Sequence, residues 1–170
     1  TLYVDKNVHS CQWTGIASSM GTVEKFSHNK PDSFRTALSY DESKAPKMLI
    51  FEGVYSIEGH IAPAKELLDI AQKHDCFSVM DDAHGFGILG NQGRGTAHHL
   101  GVTEQVDIIC GSLSKAMAST GGFVAGDKDL LEYLRSHSKQ TIFSAAISPS
   151  QAYCAEAALH VLQDEPQHLQ

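Results

Sequence analysis

Lys115 is the residue whose surroundings most strongly suggest chemistry. It follows an apolar run typical of a buried strand and lies in the segment G-S-L-S-K-A (residues 111–116), where hydroxyls and small residues surround one amine. Such a lysine is either a solvent-exposed loop residue or a Schiff-base lysine, whose amine must lose its proton to attack an aldehyde. Ser112 and Ser114, with backbone N–H groups, could hold a phosphate beside that amine.

A carboxylate and a histidine follow the preceding apolar run. Asp81 closes the run, and His84 comes three residues later. A buried carboxylate opposite such a lysine suits a pyridine cofactor, because it keeps the ring nitrogen protonated and lets the ring accept electrons. His84 could then contact the phenolic oxygen of the cofactor. The alternative is that Asp81 caps a helix and His84 is a hydrogen-bonded loop residue.

A metal site is the other chemistry that ten histidines and several acids could provide. The candidate ligands are His98 with His99, or His84 with Asp81. The sequence has neither H-x-H nor H-E-x-x-H spacing, and no thiolate pair is present to complete a tetrahedron. We therefore expect no metal.

The elements that position these residues alternate between short apolar runs and helical segments, which predicts an α/β fold with a sheet covered by helices on both faces. Ligands bind at the carboxyl ends of the strands in open α/β sheets. Three consecutive predicted strands end at Glu52, at Asp81 and just before Ser112. Their side chains would meet at one rim, which indicates an enzyme. The strands are predicted at residues 2–5, 22–26, 47–52, 76–80, 106–110 and 122–125, and the helices at 9–20, 32–40, 64–74, 128–137 and 149–162, with Asp32 as a cap.

Composition bounds the class of protein. The chain has 170 residues, 42% of them hydrophobic and 19% charged, as expected for one globular domain with a core. The net charge of -7, with dispersed Lys and Arg, argues against nucleic acid as a partner. No stretch reaches the roughly 18–20 apolar residues of a membrane span, and no signal peptide is recognisable. Four widely spaced cysteines are expected to be free thiols, and we expect a cytoplasmic protein.

Several long motifs occur in a fixed order along nearly the whole chain. They are D-x-x-x-H-S (residues 5–10), F-x-H-N (26–29), E-G-V-Y-S-I-E-G-H-I-A-P (52–63), D-D-A-H-G-F-G-x-x-G-x-x-G-R-G (81–95), V-D-I-I-C-G-S-L-S-K-A (106–116), G-G-F-V-A-G (121–126) and I-F-S (142–144). In this order they closely resemble the α-oxoamine synthases. That family includes 8-amino-7-oxononanoate synthase, 2-amino-3-ketobutyrate CoA ligase, serine palmitoyltransferase and 5-aminolevulinate synthase.

The resemblance implies a fold-type-I enzyme that uses pyridoxal 5'-phosphate (PLP) and forms a homodimer with sites at the interface. Its implied reaction condenses a small amino acid with an acyl thioester, either acyl-CoA or an acyl carrier. Residues 1–170 would be the PLP-binding large domain. Because the chain begins with Thr1 at an apparent strand end, we expect a piece of a longer protein without the family's N-terminal glycine loop and small C-terminal domain.

The resemblance also implies a role for each site residue. Lys115 would form the Schiff base and later carry a proton, Asp81 would pair with the pyridine nitrogen, and His84 would bond the phenolic oxygen. His9 would stack on the ring, although it could instead be only a capped helix start. Ser112 and Ser114 would bind the phosphate, together with Ser144 from across the dimer interface. Glu52 and Ser56 would lie at the substrate end. A strand-end carboxylate in a salt bridge is the alternative for Glu52.

Departures from the family pattern leave the substrate open. The family usually has H-A-S where this chain has residues 9–11, S-M-D-G-D at residues 56–60, and Thr in place of Ala145. An aminotransferase or retro-aldol lyase of the same fold, or a non-catalytic partner subunit, remain alternatives. The presence of Lys115, Asp81 and His84 together favours an active enzyme.

Overall fold

A six-stranded sheet with the order β2-β1-β3-β4-β5-β6 organises the fold. The computed structural model describes residues 1–169. The strands are β1 (Leu2–Asp5), β2 (Val23–Phe26), β3 (Lys47–Glu52), β4 (Cys76–Asp81), β5 (Ile108–Ser112) and β6 (Gly122–Gly126). Among the strands of the described residues, only β6 is antiparallel to its neighbour, β5.

Seven α-helices are found among the described residues. They are α1 (Ser10–Ala17), α2 (Pro31–Ser39), α3 (Ala64–Lys73), α4 (Thr96–His99), α5 (Lys128–His137), α6 (Lys139–Phe143) and α7 (Pro149–Asp164). Short 3-10 turns occupy Asn91–Gly93, Thr103–Gln105 and Pro166–Leu169. Within the same part of the chain, no helix is both long and apolar enough to cross a lipid bilayer.

One face of the sheet, which we call the α2–α3 face, is sealed by two helices. Tyr3, Leu49 and Met80 point to this face from neighbouring strands and are completely buried. The ring of Phe34 in α2 packs on Tyr3, with centroids 5.6 Å apart, and on Phe26 at 5.3 Å. α3 contacts both α2 and β4. This face therefore holds most of the apolar core.

The opposite face, which we call the α1 face, is covered less completely. Ile16 of α1 is buried there, beside Ile50 of β3. Val79 and Cys110, further along the sheet, remain half-buried. The burial of β4 thus alternates residue by residue, because one side of the strand is sealed and the other is partly open.

The C-terminal region, residues 118–169, buries far less than the rest of the chain. α5 and α6 contain no buried residue, and α7 buries only Ala155. Several large apolar side chains are exposed there: Val124, Tyr133, Ile142, Phe143, Ile147, Tyr153, Leu159 and Val161.

Most predicted elements are present, and three details of the prediction were wrong. Asp32 does not cap a helix, because α2 already begins at Pro31, whose fixed φ suits the first helical position. The strand predicted at 106–110 lies at Ile108–Ser112, since the side chain of Asp107 binds the backbone N–H and hydroxyl of Ser78 instead. α4 and α6 were not predicted, because each spans at most five residues.

Candidate active site

Most of the predicted site residues line one cavity at the carboxyl edge of the sheet. Its volume is about 390 Å³, within the usual range for a small-molecule site. The lining residues are His9, Cys11, Glu52, Asp81, Ala83, His84, Cys110, Gly111, Ser112, Ser114 and Lys115. Seven of the nine predicted site residues are therefore brought together.

The strand register explains why three of these residues meet. Glu52 is aligned with Asp81 across β3 and β4, and Asp81 with Cys110 across β4 and β5. Paired residues of a parallel sheet point to the same face. The three side chains therefore lie in a row on the α1 face, and Ser112, two residues beyond Cys110, extends toward the same side.

Lys115 lies in the connection between β5 and β6. Because these strands are antiparallel, the chain turns at the carboxyl edge and returns, with the N–H of Leu113 bonded to the carbonyl of Gly121 at 3.0 Å. Lys115 is exposed, and none of the ion pairs in the described part of the chain involves it. Its amine is thus available to a ligand.

Two serine hydroxyls lie beside this lysine. Ser112 Oγ and Ser114 Oγ are 2.7 Å apart, and the N–H of Ser114 donates to Ser112 Oγ at 3.2 Å. Hydroxyls bonded only to each other and to a backbone amide can turn toward an incoming phosphate.

Asp81 is held by one hydrogen bond at each carboxylate oxygen. Oδ1 accepts the N–H of Ala83 at 3.0 Å, and Oδ2 accepts Nε2 of Gln12, also at 3.0 Å. The first bond forms an Asx turn, and no helix starts at this point, so Asp81 is not a helix cap. Because each oxygen can accept a further donor, the carboxylate can still bind a protonated ring nitrogen.

The imidazole of His84 favours its neutral form. Burial lowers its pKa, and the nearby positive charge of Lys115 lowers it further. A neutral imidazole can donate a hydrogen bond from one nitrogen and accept one at the other. His84 can therefore act as a donor to a phenolic oxygen without adding a second positive charge beside Lys115.

His9 precedes α1 and caps it. Its Nδ1 accepts the N–H of Cys11 at 3.2 Å, and its own N–H donates to Glu52 Oε1. His9 therefore does cap the start of the helix, and it does so through Nδ1. The ring nevertheless borders the cavity, so capping and contact with a ligand are compatible.

Glu52 is a buried carboxyl group, 2% exposed. Burial raises its pKa to about 7, and the negative charges of Asp81 and Asp5 add to this effect, while the N–H groups of His9 and Ser56 oppose it. No salt bridge among the described residues includes it. The salt-bridge alternative is therefore wrong, since the partners of Glu52 are backbone amides.

Two predicted residues lie outside the cavity lining. Ser56 is exposed, and its influence on the site is through its backbone N–H, which lowers the pKa of Glu52. Ser144 is exposed at the end of α6. Their assignments to substrate and to the partner's phosphate remain predictions.

Three further residues at the site were not predicted from the sequence: Gln12, Cys11 and Cys110. Gln12 could have been found from helical spacing, because residues i and i+3 share a helix face and His9 is three residues earlier. Cys110 could have been found from strand alternation, two residues before Ser112.

The arrangement defines a class of protein. It is an α/β domain in which a carboxylate, an imidazole and a pair of hydroxyls lie around a lysine at the carboxyl edge of the sheet. These groups fit an aldehyde-bearing, phosphorylated pyridine, because each matches one functional group of that molecule. The chain belongs to the aminotransferase class I and II family, whose model matches residues 2–170.

Two curated relatives show which enzymes of this family the chain is similar to. The chain is 37% identical over 169 residues to a serine palmitoyltransferase of Sphingobacterium spiritivorum, covering 99% of this chain and 42% of the relative. It is 33% identical over 166 residues to 8-amino-7-oxononanoate synthase 1 of Bacillus subtilis, covering 98% and 42%. The resemblance to the α-oxoamine synthases is thus confirmed. The chain spans less than half the length of these relatives.

Solved structures agree with the predicted fold. A serine palmitoyltransferase from S. paucimobilis, determined with a PLP–myriocin aldimine, superposes with a TM-score of 0.94 at 28% identity, covering 99% of this chain and 44% of that one. A Sphingomonas wittichii serine palmitoyltransferase gives 0.90 at 30% identity, covering 95% and 40%. The prediction of a fold-type-I α/β domain is confirmed.

Proposed function

We propose that this chain is the PLP-binding large domain of an α-oxoamine synthase, which condenses a small amino acid with an acyl thioester. The observation that carries the proposal is the grouping of Lys115, Asp81, His84 and the serine pair around one cavity. When bound, PLP supplies an electron sink that stabilises a carbanion at the amino acid's α-carbon. A carbon–carbon bond would then join this α-carbon to the acyl carbon, while the acyl carbon–sulfur bond breaks and the thiol leaves.

Each residue of the site would have its own role in this reaction. Lys115 Nζ would hold the cofactor through its aldehyde carbon, with the carbonyl oxygen released as water, and would move a proton at the substrate α-carbon. Asp81 holds the ring-nitrogen proton, His84 donates to the phenolic oxygen, and His9 covers the ring. Ser112 and Ser114 bind the phosphate.

The remaining assignments concern the substrate and the dimer. Glu52 and Ser56 would border the substrate, and Ser144 would reach the phosphate of the partner subunit. Exposed apolar side chains of the C-terminal region, such as Phe143 with 84% exposure, support a homodimer. Sedimentation of the full-length protein tests this assignment, and a monomer at micromolar concentration would contradict it.

A cytoplasmic location is also proposed. Four free cysteines support it, because thiols persist in a reducing compartment. Fractionation of the source cells, with the protein followed by antibody, tests the location; recovery outside the cytoplasm would contradict it.

Borohydride reduction of the full-length protein after incubation with PLP tests cofactor attachment. Peptide mass spectrometry should find a phosphopyridoxyl group on Lys115, and Lys115→Ala should lose it. Lys128→Ala is the matched control, because Lys128 is exposed and does not line the cavity. Absence of any adduct would favour the non-catalytic subunit instead.

A second assay separates condensation from transamination. Glycine, alanine or serine with an acyl thioester should release free thiol, and this release should stop in Lys115→Ala. Formation of a keto acid without thiol release would indicate an aminotransferase.

A further inference from the structure

Helix α1 is tied to the rim of the sheet through two acidic side chains. The N–H of His9 donates to Glu52 Oε1, and one turn later Nε2 of Gln12 donates to Asp81 Oδ2 at 3.0 Å. His9 is the N-cap residue of α1, and Gln12 lies three residues later in the first turn of the helix. The same turn therefore presents His9 to the cavity and Gln12 to Asp81.

The orientation of the Gln12 amide is set by Asp81. An ionised carboxylate only accepts hydrogen bonds, so the NH2 group must face it, and the carbonyl Oε1 must point away. Oε1 is buried, and no donor among the described residues bonds it. A buried acceptor without a partner lowers stability. A role in stability alone therefore does not account for the glutamine.

We propose that Gln12 is a positioning residue, which holds the Asp81 carboxylate correctly oriented to bind the ring-nitrogen proton of the cofactor. The inference rests on the proposed PLP function. The N–H of Ala83 fixes one oxygen of the Asp81 carboxylate, and Nε2 of Gln12 fixes the other. Without the glutamine donor, the carboxylate would keep only one of these two bonds and could turn away from the ring nitrogen.

The test compares PLP with an analogue in which carbon replaces the ring nitrogen, using the full-length protein. Asp81 can bind a proton only on the nitrogen of PLP. Removing the Gln12 donor should therefore weaken PLP and leave the analogue unaffected. Gln12→Met keeps the length of the side chain without its donor. Titration by cofactor fluorescence should show about a tenfold loss of affinity for PLP, since a bond to a charged group is removed.

Two further variants make the comparison sharper. Gln12→Glu places a second carboxylate against Asp81, and it should lose PLP affinity more strongly than Gln12→Met while again sparing the analogue. Thr14→Ala is the matched control on the same helix, because Thr14 is exposed and its hydroxyl bonds only the carbonyl of Ser10. It should bind both molecules as the wild type does.

The affinities for PLP and for the analogue together test the role of Gln12. Equal losses for PLP and analogue in Gln12→Met would show a merely structural role and overturn the inference, as would no loss for either. A wild-type protein that binds neither molecule would overturn the proposed function itself. Selective loss of PLP in both variants would support the inference.

Discussion

Tyr3, Leu49 and Met80 are completely buried on the α2–α3 face, whereas Val79 and Cys110 on the α1 face are only half-buried. The first face carries the aromatic and aliphatic core. The second carries the aligned acids and the cavity. Burial of apolar surface stabilises the fold, but buried carboxyl groups oppose it unless they are well bonded. This difference indicates that stability comes mainly from one face, while the candidate active site lies on the other.

The largest expected effect lies in the α2–α3 face. Phe51→Ala removes a completely buried ring and should lower the free energy of unfolding by about 3–5 kcal/mol. Urea denaturation measures the change. Val79→Ala on the α1 face is the matched substitution, and it should cost clearly less. Equal costs would contradict the division between the two faces.

The next largest loss of stability is expected in the glycine-rich loop (residues 85–95) at the carboxyl edge of the sheet. A Cβ on Gly85 would lie 2.0 Å from Thr96 Oγ1 and 2.2 Å from Asp82 Oδ1. Because these neighbours are buried, Gly85→Ala should cost about 1–3 kcal/mol through overpacking. Thermal unfolding measures it, and an unchanged melting temperature would show that the rim can relax.

Glu52 tests whether carboxyl burial on the α1 face opposes stability. Its pKa is raised from 4.5 to about 7 in the folded state, chiefly by burial. As the pH rises from about 4.5 to about 7, the unfolded chain loses this proton first, so stability falls. Glu52→Gln removes the ionisation and keeps an acceptor for the N–H of His9.

Glu52→Gln should therefore be more stable than the wild type by about 1–2 kcal/mol at neutral to alkaline pH. At acidic pH the two proteins should be equally stable. Chemical denaturation across the pH range measures both curves. A constant difference between them at all pH values would show that Glu52 does not titrate as described.

The smallest expected effect is a gain in stability from a substitution in α1. Gly15 lies within α1, and a Cβ there would have no neighbour within 4 Å. Gly15→Ala should raise stability by about 0.5–1 kcal/mol, because alanine loses less backbone freedom in a helix. Destabilisation in thermal unfolding would show that the α1 face is more tightly packed than its geometry indicates.

Most of the strands, and most of the residues that line the cavity, could be predicted from the sequence. β3 could be predicted because its apolar run is continuous, and Lys115 and Asp81 because each lies at or beyond a strand end that belongs to one edge of an α/β sheet. The resemblance to a known family assigned their chemistry.

Tertiary structure alone decided how these residues are coupled. The bond from Gln12 to Asp81 joins positions 69 residues apart, and the alignment of Glu52 with Asp81 depends on the register of two strands. Periodicity reports which face of its own element a residue occupies, but not which distant residue packs against it. The physical reason is that register and helix docking are set by packing of the whole sheet, which no local segment contains.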